Sequence, residues 1–252
     1  MHLCSVGTHE YDVDIKKLLQ RRLEQAGQPV ALSGDNGLVR IELSGEGALE
    51  GWCTAVCALL LRDLAHFEMA RMVNDLPLSL EEKRSVLPEA VRLSRAMLQG
   101  EEDAPSAAQA DVTHMLMAYY AEEDHLNLEG FMRFRLKEVL RDWELCVMQA
   151  TEELLLQAEY NELMHVLSAF MQLAPPQIKD VYVVLNPDGS CILTDDKDSR
   201  IEYDPCTGDN VLNALAGLSP ERITVYDLSG GRSAQLAEAL IRMFEHRVRV
   251  FK

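Results

Sequence analysis

Between Leu128 and Ala174 the chain holds no proline and a single glycine, Gly130. A stretch of that length without a breaker folds as one very long helix or as two helices in tandem. Pro175 and Pro176 end it, because neither can continue a helix and each biases the residue before it toward extended backbone. Leu136, Leu140, Trp143, Val147, Ala150 and Leu154 recur at spacings of four and three, which places them on one helical face. The apolar phase then shifts to Leu156, Tyr160, Leu163, Leu167 and Phe170. Such a slip marks a kink, a stutter or a break, and we place a break near residues 157–159.

The segments on either side have a different period. Residues 2–7 read as a strand, and 11–27 as an amphipathic helix with Ile15, Leu18, Leu19 and Leu23 on one face and Gly27 as its stop. Alternating apolar residues around Asp35-Asn36-Gly37 predict a hairpin, giving β-α-β-β over residues 1–45. Residues 46–176 are helical. A helix over 48–74 is apolar nearly all round at 52–61, so its first half is expected to be buried. Ser79 and Glu82 form a capping box for the next helix, and Pro88 inside it predicts a kink or two short pieces. Residues 99–109 read as a loop and 110–125 as a further helix. Residues 177–252 return to strands. They contain a hairpin at Asn186-Pro187-Asp188-Gly189, then helix, strand, helix and strand, in the order β-β-α-β-α-β. The fold class is α+β, a helical middle region flanked by two small sheets.

Charge narrows the function classes. Twenty-four basic against 41 acidic side chains give a net charge of −17, which repels nucleic acid and anionic membranes. The longest apolar run, residues 52–61, is far shorter than a bilayer span, and the N-terminus has no signal-peptide pattern, so a cytoplasmic protein without membrane insertion is expected. No HExxH, no calcium-loop order and no GxSxG occurs, so we assign no catalytic residue, metal or cofactor.

Two segments remain as candidates. In residues 126–138, "LNLEGFMRFRLKE", Asn127 is a good N-cap, Leu126 and Phe131 have the spacing of a hydrophobic staple, and Glu129 precedes Arg133 by four residues, as in an intrahelical ion pair. Arg133, Lys137 and Arg141 would form a basic stripe. On a continuous helix Phe131, Arg135 and Val139 share a side. Arg135 is therefore expected to be at least half buried, paired with Glu159 or Glu162, and to cost on the order of 3 kcal/mol when removed. This segment reads as a well-capped helix with a solvated face, or as a partner or phosphate site. The second candidate is the turn Ser229-Gly230-Gly231-Arg232-Ser233, which could bind an anion through free N–H groups at a helix start. It matches neither phosphate-loop pattern, and its serines could simply cap the helix.

The residues Asn127, Glu129, Gly130, Phe131, Arg133, Phe134, Arg135 and Lys137, followed by Glu159, Tyr160, Asn161 and Glu162 and a β-rich tail, resemble the YtxC family of sporulation proteins of spore-forming, low-GC Gram-positive bacteria. The resemblance covers roughly residues 45–252 in layout. It implies a sporulation context and carries no catalytic residue with it. The expected function is non-enzymatic, exerted by binding another, unidentified protein. The alternative is a small-ligand sensor or enzyme using the Ser229–Ser233 turn.

The cysteines give a direct test of compartment. Cys4, Cys53, Cys57, Cys146, Cys191 and Cys206 lack CxxC spacing and fit free thiols in a reducing environment. Thiol titration of unfolded, non-reduced protein should recover all six.

Overall fold

The computed structural model describes residues 2–26, 31–45, 47–98, 106–201 and 208–251. The chain packs as two compact units, residues 1–155 and 156–252. The first three strands fall in the first unit together with the helices that follow them.

In the first unit β1 (His2–Gly7) pairs antiparallel with β3 (Leu38–Leu43), and β3 with the two-residue β2 (Ser33–Gly34). The hairpin turn is closed by Asp35 Oδ1, which accepts from the N–H groups of Gly37 and Leu38. A fourth strand that the sequence reading missed, β4 (His125–Asn127), comes from the helical region and pairs parallel with β1, so the order is β2-β3-β1-β4. Three residues are too short to show an alternating pattern, and residues 110–125 were read as helix throughout.

Helix α1 (Ile15–Gln25) starts at Asp14, whose side chain accepts from Lys17 N–H, and buries Ile15, Leu19 and Leu23. Its expected stop, Gly27, lies outside the described residues. The apolar run follows as α2 (Ala48–Ala58), a π-helical turn over Leu59–Leu64 and α3 (Ala65–Asp75). Trp52, Leu59, Leu60, Leu61 and Leu64 are fully buried, as the all-round apolar character demands. Helix α4 (Leu80–Met97) has the expected capping box and stays a single helix across Pro88. Helix α5 (Ala107–Tyr120) is opened by a second capping box, Ser106 with Gln109.

Helices α6 (Leu128–Arg135) and α7 (Lys137–Leu173) then divide the breaker-free run. The break falls at Leu136 (φ −106°, ψ 35°) and not near 157–159, where α7 is unbroken. The phase slip has another cause. Trp143, Val147 and Ala150 pack into the core of the first unit, whereas Met164 and Met171 pack into the core of the second. One helix serves two cores, so its inward stripe changes phase without any change in backbone.

In the second unit β5 (Ile178–Leu185) and β6 (Cys191–Asp195) form the expected hairpin. Helix α8 (Gly208–Leu218), β7 (Pro220–Asp227), α9 (Ala234–Phe244) and β8 (Val248–Phe251) complete a sheet of order β6-β5-β7-β8, with β5, β7 and β8 mutually parallel. Val181, Val183, Leu185, Ile223 and Val225 point into a core shared with Leu215 and Leu240. The class is α+β. No helix among the described residues is long and apolar enough to cross a membrane. Cys4, Cys53, Cys57 and Cys146 are free and buried; Cys206 lies outside the described residues.

Continuity of α7 can be tested by placing a breaker at the phase slip. Ala158→Pro should cost about 3 kcal/mol or more in a urea melt. At a natural break the same change would be nearly neutral.

Candidate functional site

The segment 126–138 folds around one carboxylate. Pairing of β4 with β1 sets Asn127 beside Gly7, which brings the turn after β1 against the start of α6. Asn127 caps α6, its Oδ1 accepting from Gly130 N–H at 2.7 Å. A Cβ on Gly130 would sit 3.0 Å from that oxygen, which accounts for the glycine. One residue earlier, Glu129 turns inward and is buried. Its Oε1 accepts from Thr8 Oγ1 at 2.5 Å and from the backbone N–H groups of His9 and Glu10 at 2.8 Å each. Glu129 therefore does not pair with Arg133 along the helix, as its spacing suggested. It holds the 8–10 turn instead.

Burial alone would raise the carboxyl pKa of Glu129. The Thr8 hydroxyl and the N–H groups of Glu10, of Glu129 itself and of His9 together outweigh that and bring it down to about 2. A second buried acid lies close by. Glu68 on α3 accepts from the Tyr11 hydroxyl at 2.5 Å and contacts Arg71 at 2.7 Å. Burial, followed by the hydrogen bond to Glu68, pushes the Tyr11 hydroxyl pKa well up. Glu10 joins the two acids, as it pairs with Arg133 and lies 3.8 Å from Arg71. Thr8, Glu10, Tyr11, Glu68 and Arg71 were missed from sequence. Local spacing links Glu68 to Arg71 and Thr8 to Tyr11, three residues apart in each case, but not the two groups to each other or to Glu129: 57 residues separate Tyr11 from Glu68 and 121 separate Thr8 from Glu129.

The other residues of the segment fall into two sets. Phe131 is buried and meets Tyr119 edge to face at 5.8 Å. Phe134, Arg135 and Lys137 are exposed, Phe134 at 75% of its surface. The expected burial of Arg135 is not observed, and it makes no hydrogen bond or ion pair with a described residue. Ending α6 at Arg135 and turning the backbone at Leu136 gives the inward position to Leu136, which is 1% exposed. The same turn interrupts the stripe expected from Arg133 to Arg141. Glu159, Tyr160 and Glu162 belong to the second unit and lie exposed on α7. The result in the first unit is an aromatic knuckle, exposed Phe134 with the exposed cations Arg135 and Lys137 just after it, on a helix whose first turn is held by Glu129.

The Ser229–Ser233 turn is occupied by its own groups. Ser229 Oγ donates to Asp227 Oδ1 at 2.5 Å and accepts from Ser233 N–H at 3.0 Å, and Arg232 donates to the carbonyl of Pro187. Gly230 and Gly231 supply the positive φ that the turn requires. The groove beside it is lined by Asp227 and Glu238, which is unfavourable for an anion. No group of metal-ligating side chains is found among the described residues.

A model of the YtxC-like family matches residues 55–249. The chain belongs to the YtxC-like family. The match takes in both parts of the motif, 127–137 and 159–162, and begins inside α2, so it leaves out β1, β2 and β3. In this YtxC-like chain Glu129 thus lies inside the family match, and the Thr8 turn it holds lies outside. Comparison with curated proteins and with solved structures gives no match.

Glu129 makes stability depend on pH. Its folded pKa is depressed, so the stabilisation is fully present above the unfolded value near 4.5 and is lost as pH falls toward about 2. Glu129→Gln should lose about 2–3 kcal/mol at pH 7 and flatten the acid limb between pH 4.5 and 2 in denaturant melts. Arg135→Ala should change stability by no more than about 0.5 kcal/mol.

Proposed function

We propose that this YtxC-like protein acts in the sporulation programme by binding another protein, without catalysis, through the Phe134 knuckle. The observation that carries the reading is an exposed phenylalanine followed by two exposed cations, Arg135 and Lys137, neither of which makes a hydrogen bond or ion pair with a described residue. Covering a ring of this size stabilises a complex, and aromatic and arginine side chains are the usual anchors of such contacts. The knuckle stands on a short helix whose first turn is fixed by the Asn127 cap and the Glu129 carboxylate, so little ordering cost remains on binding. A partner segment with an apolar pocket rimmed by Asp or Glu suits it. The acidic balance of the chain as a whole disfavours nucleic acid at this site. The reading of a phosphate or metabolite site at the Ser229 turn is weakened by the two acids, Asp227 and Glu238, that line the groove beside it, and by the engagement of the Ser229 hydroxyl and the Ser233 N–H with each other.

The test compares proteins captured from sporulating cells by wild type, Phe134→Ala and Arg135→Glu. A protein held by wild type should be lost with both variants and should bind wild type directly when purified, at least tenfold more tightly than either variant. Unchanged capture by both variants, or turnover of a phosphorylated metabolite by the purified protein, would remove the proposal.

A further inference from the structure

The second half of α7 exposes an apolar face that nothing in the described structure covers. Leu156, Glu159, Leu163, Val166, Phe170 and Leu173 recur at alternating spacings of three and four, the heptad pattern of a helix seam. Apart from Glu159 all are apolar and well exposed, Phe170 at 66% and Leu173 at 85%. They are not this helix's contribution to its own core. That role falls to Met164, Leu167 and Met171, on the neighbouring face. The five apolar side chains leave on the order of 600 Å² uncovered, at the top of what a monomer shows and near the ~800 Å² that one partner contributes to a stable interface.

Charge selects the occupant. From Leu156 to Ile178 the chain has no Lys or Arg, while Glu159 and Glu162 lie along the same stretch. On the exposed face itself, Glu159 interrupts the seam and Glu162 borders it. A second copy laid parallel would set these acids against their own kind, which costs free energy at a seam. A helix with Leu, Ile or Val at heptad positions and Lys or Arg beside them would cover the apolar surface and neutralise the acids together. We infer that the Leu156–Leu173 face of α7 is a docking surface for a basic amphipathic helix of a partner protein. The surface is distinct from the Phe134 knuckle, lies in the other unit and takes a partner of the opposite charge.

The probe is a labelled 21-residue peptide with Leu at the heptad seam positions and Lys beside them, read by fluorescence anisotropy against the full chain. The control is a scrambled peptide of identical composition. The heptad peptide should bind in the micromolar range, at least tenfold tighter than the scrambled one, and weaken as salt rises. Val166→Glu with Phe170→Glu should weaken it at least tenfold, and Glu159→Lys with Glu162→Lys at least threefold. Phe170→Ser serves as a milder variant should the double change disturb folding, which circular dichroism will show. Equal binding of the scrambled peptide, no binding of the heptad peptide, or binding unaffected by the variants would overturn the inference. So would sedimentation showing a wild-type dimer that Val166→Glu with Phe170→Glu dissolves, since the face would then belong to a second copy.

Discussion

A buried carboxylate with a hydroxyl and two backbone N–H groups pointed at it organises the first unit. Removing Glu129 from water costs several kcal/mol unless its charge is met, and here Oε1 meets three donors. The donors come from the turn after β1 and the acceptor from the start of α6, so the interaction joins the two ends of the 2–135 segment. It also fixes what the turn presents. With His9 and Glu10 held by their N–H groups, the Glu10 side chain faces Arg133 and Arg71, and the Tyr11 hydroxyl reaches Glu68. Parallel pairing of β4 with β1 and the Asn127 cap set the same geometry from the backbone side. These contacts agree with one another, which is what makes a short helix such as α6 hold one position.

Several buried or half-buried polar groups of the described residues are used to hold the fold. Glu129, Glu68, Asp227 and the Ser229 hydroxyl, the groups a catalytic reading would reach for first, are each engaged in holding a turn or a helix end. What remains open is apolar surface with charge beside it. At the α6–α7 junction the charge is positive, around Phe134. On the far half of α7 it is negative, beside Val166 and Phe170. A net charge of −17 conceals this division, because the basic residues of 133–141 and the base-free stretch that follows are averaged together. The two proposed docking surfaces thus carry charges of opposite sign.

The long breaker-free run shows how a correct pattern can carry a wrong cause. Its two apolar phases are both real, and both are used. The shift between them was read as a break, because a single helix normally packs on one core. The backbone breaks instead at Leu136, where no proline or glycine announces it, and the helix runs on through the phase change. Arg135 was misplaced for the same reason. Its inward position depended on helical phase continuing from Phe131 to Val139, and a turn one residue later moved Leu136 into that place.

By itself the sequence determined the fold class, the order of strands and helices at both ends, the capping box at Ser79 and the N-cap at Asn127, and membership of the family. These follow from local physics: periodicity, capping groups and turn residues act over a few positions and leave a local record. Only tertiary structure decided that β4 joins the first sheet, that Glu129 binds the Thr8 turn and not Arg133, that α7 serves two cores and which of its apolar faces stays open. Each of those depends on groups more than a hundred residues apart or on which neighbour covers a surface. A chain that satisfies one helical stripe against a core records nothing locally about what meets the other.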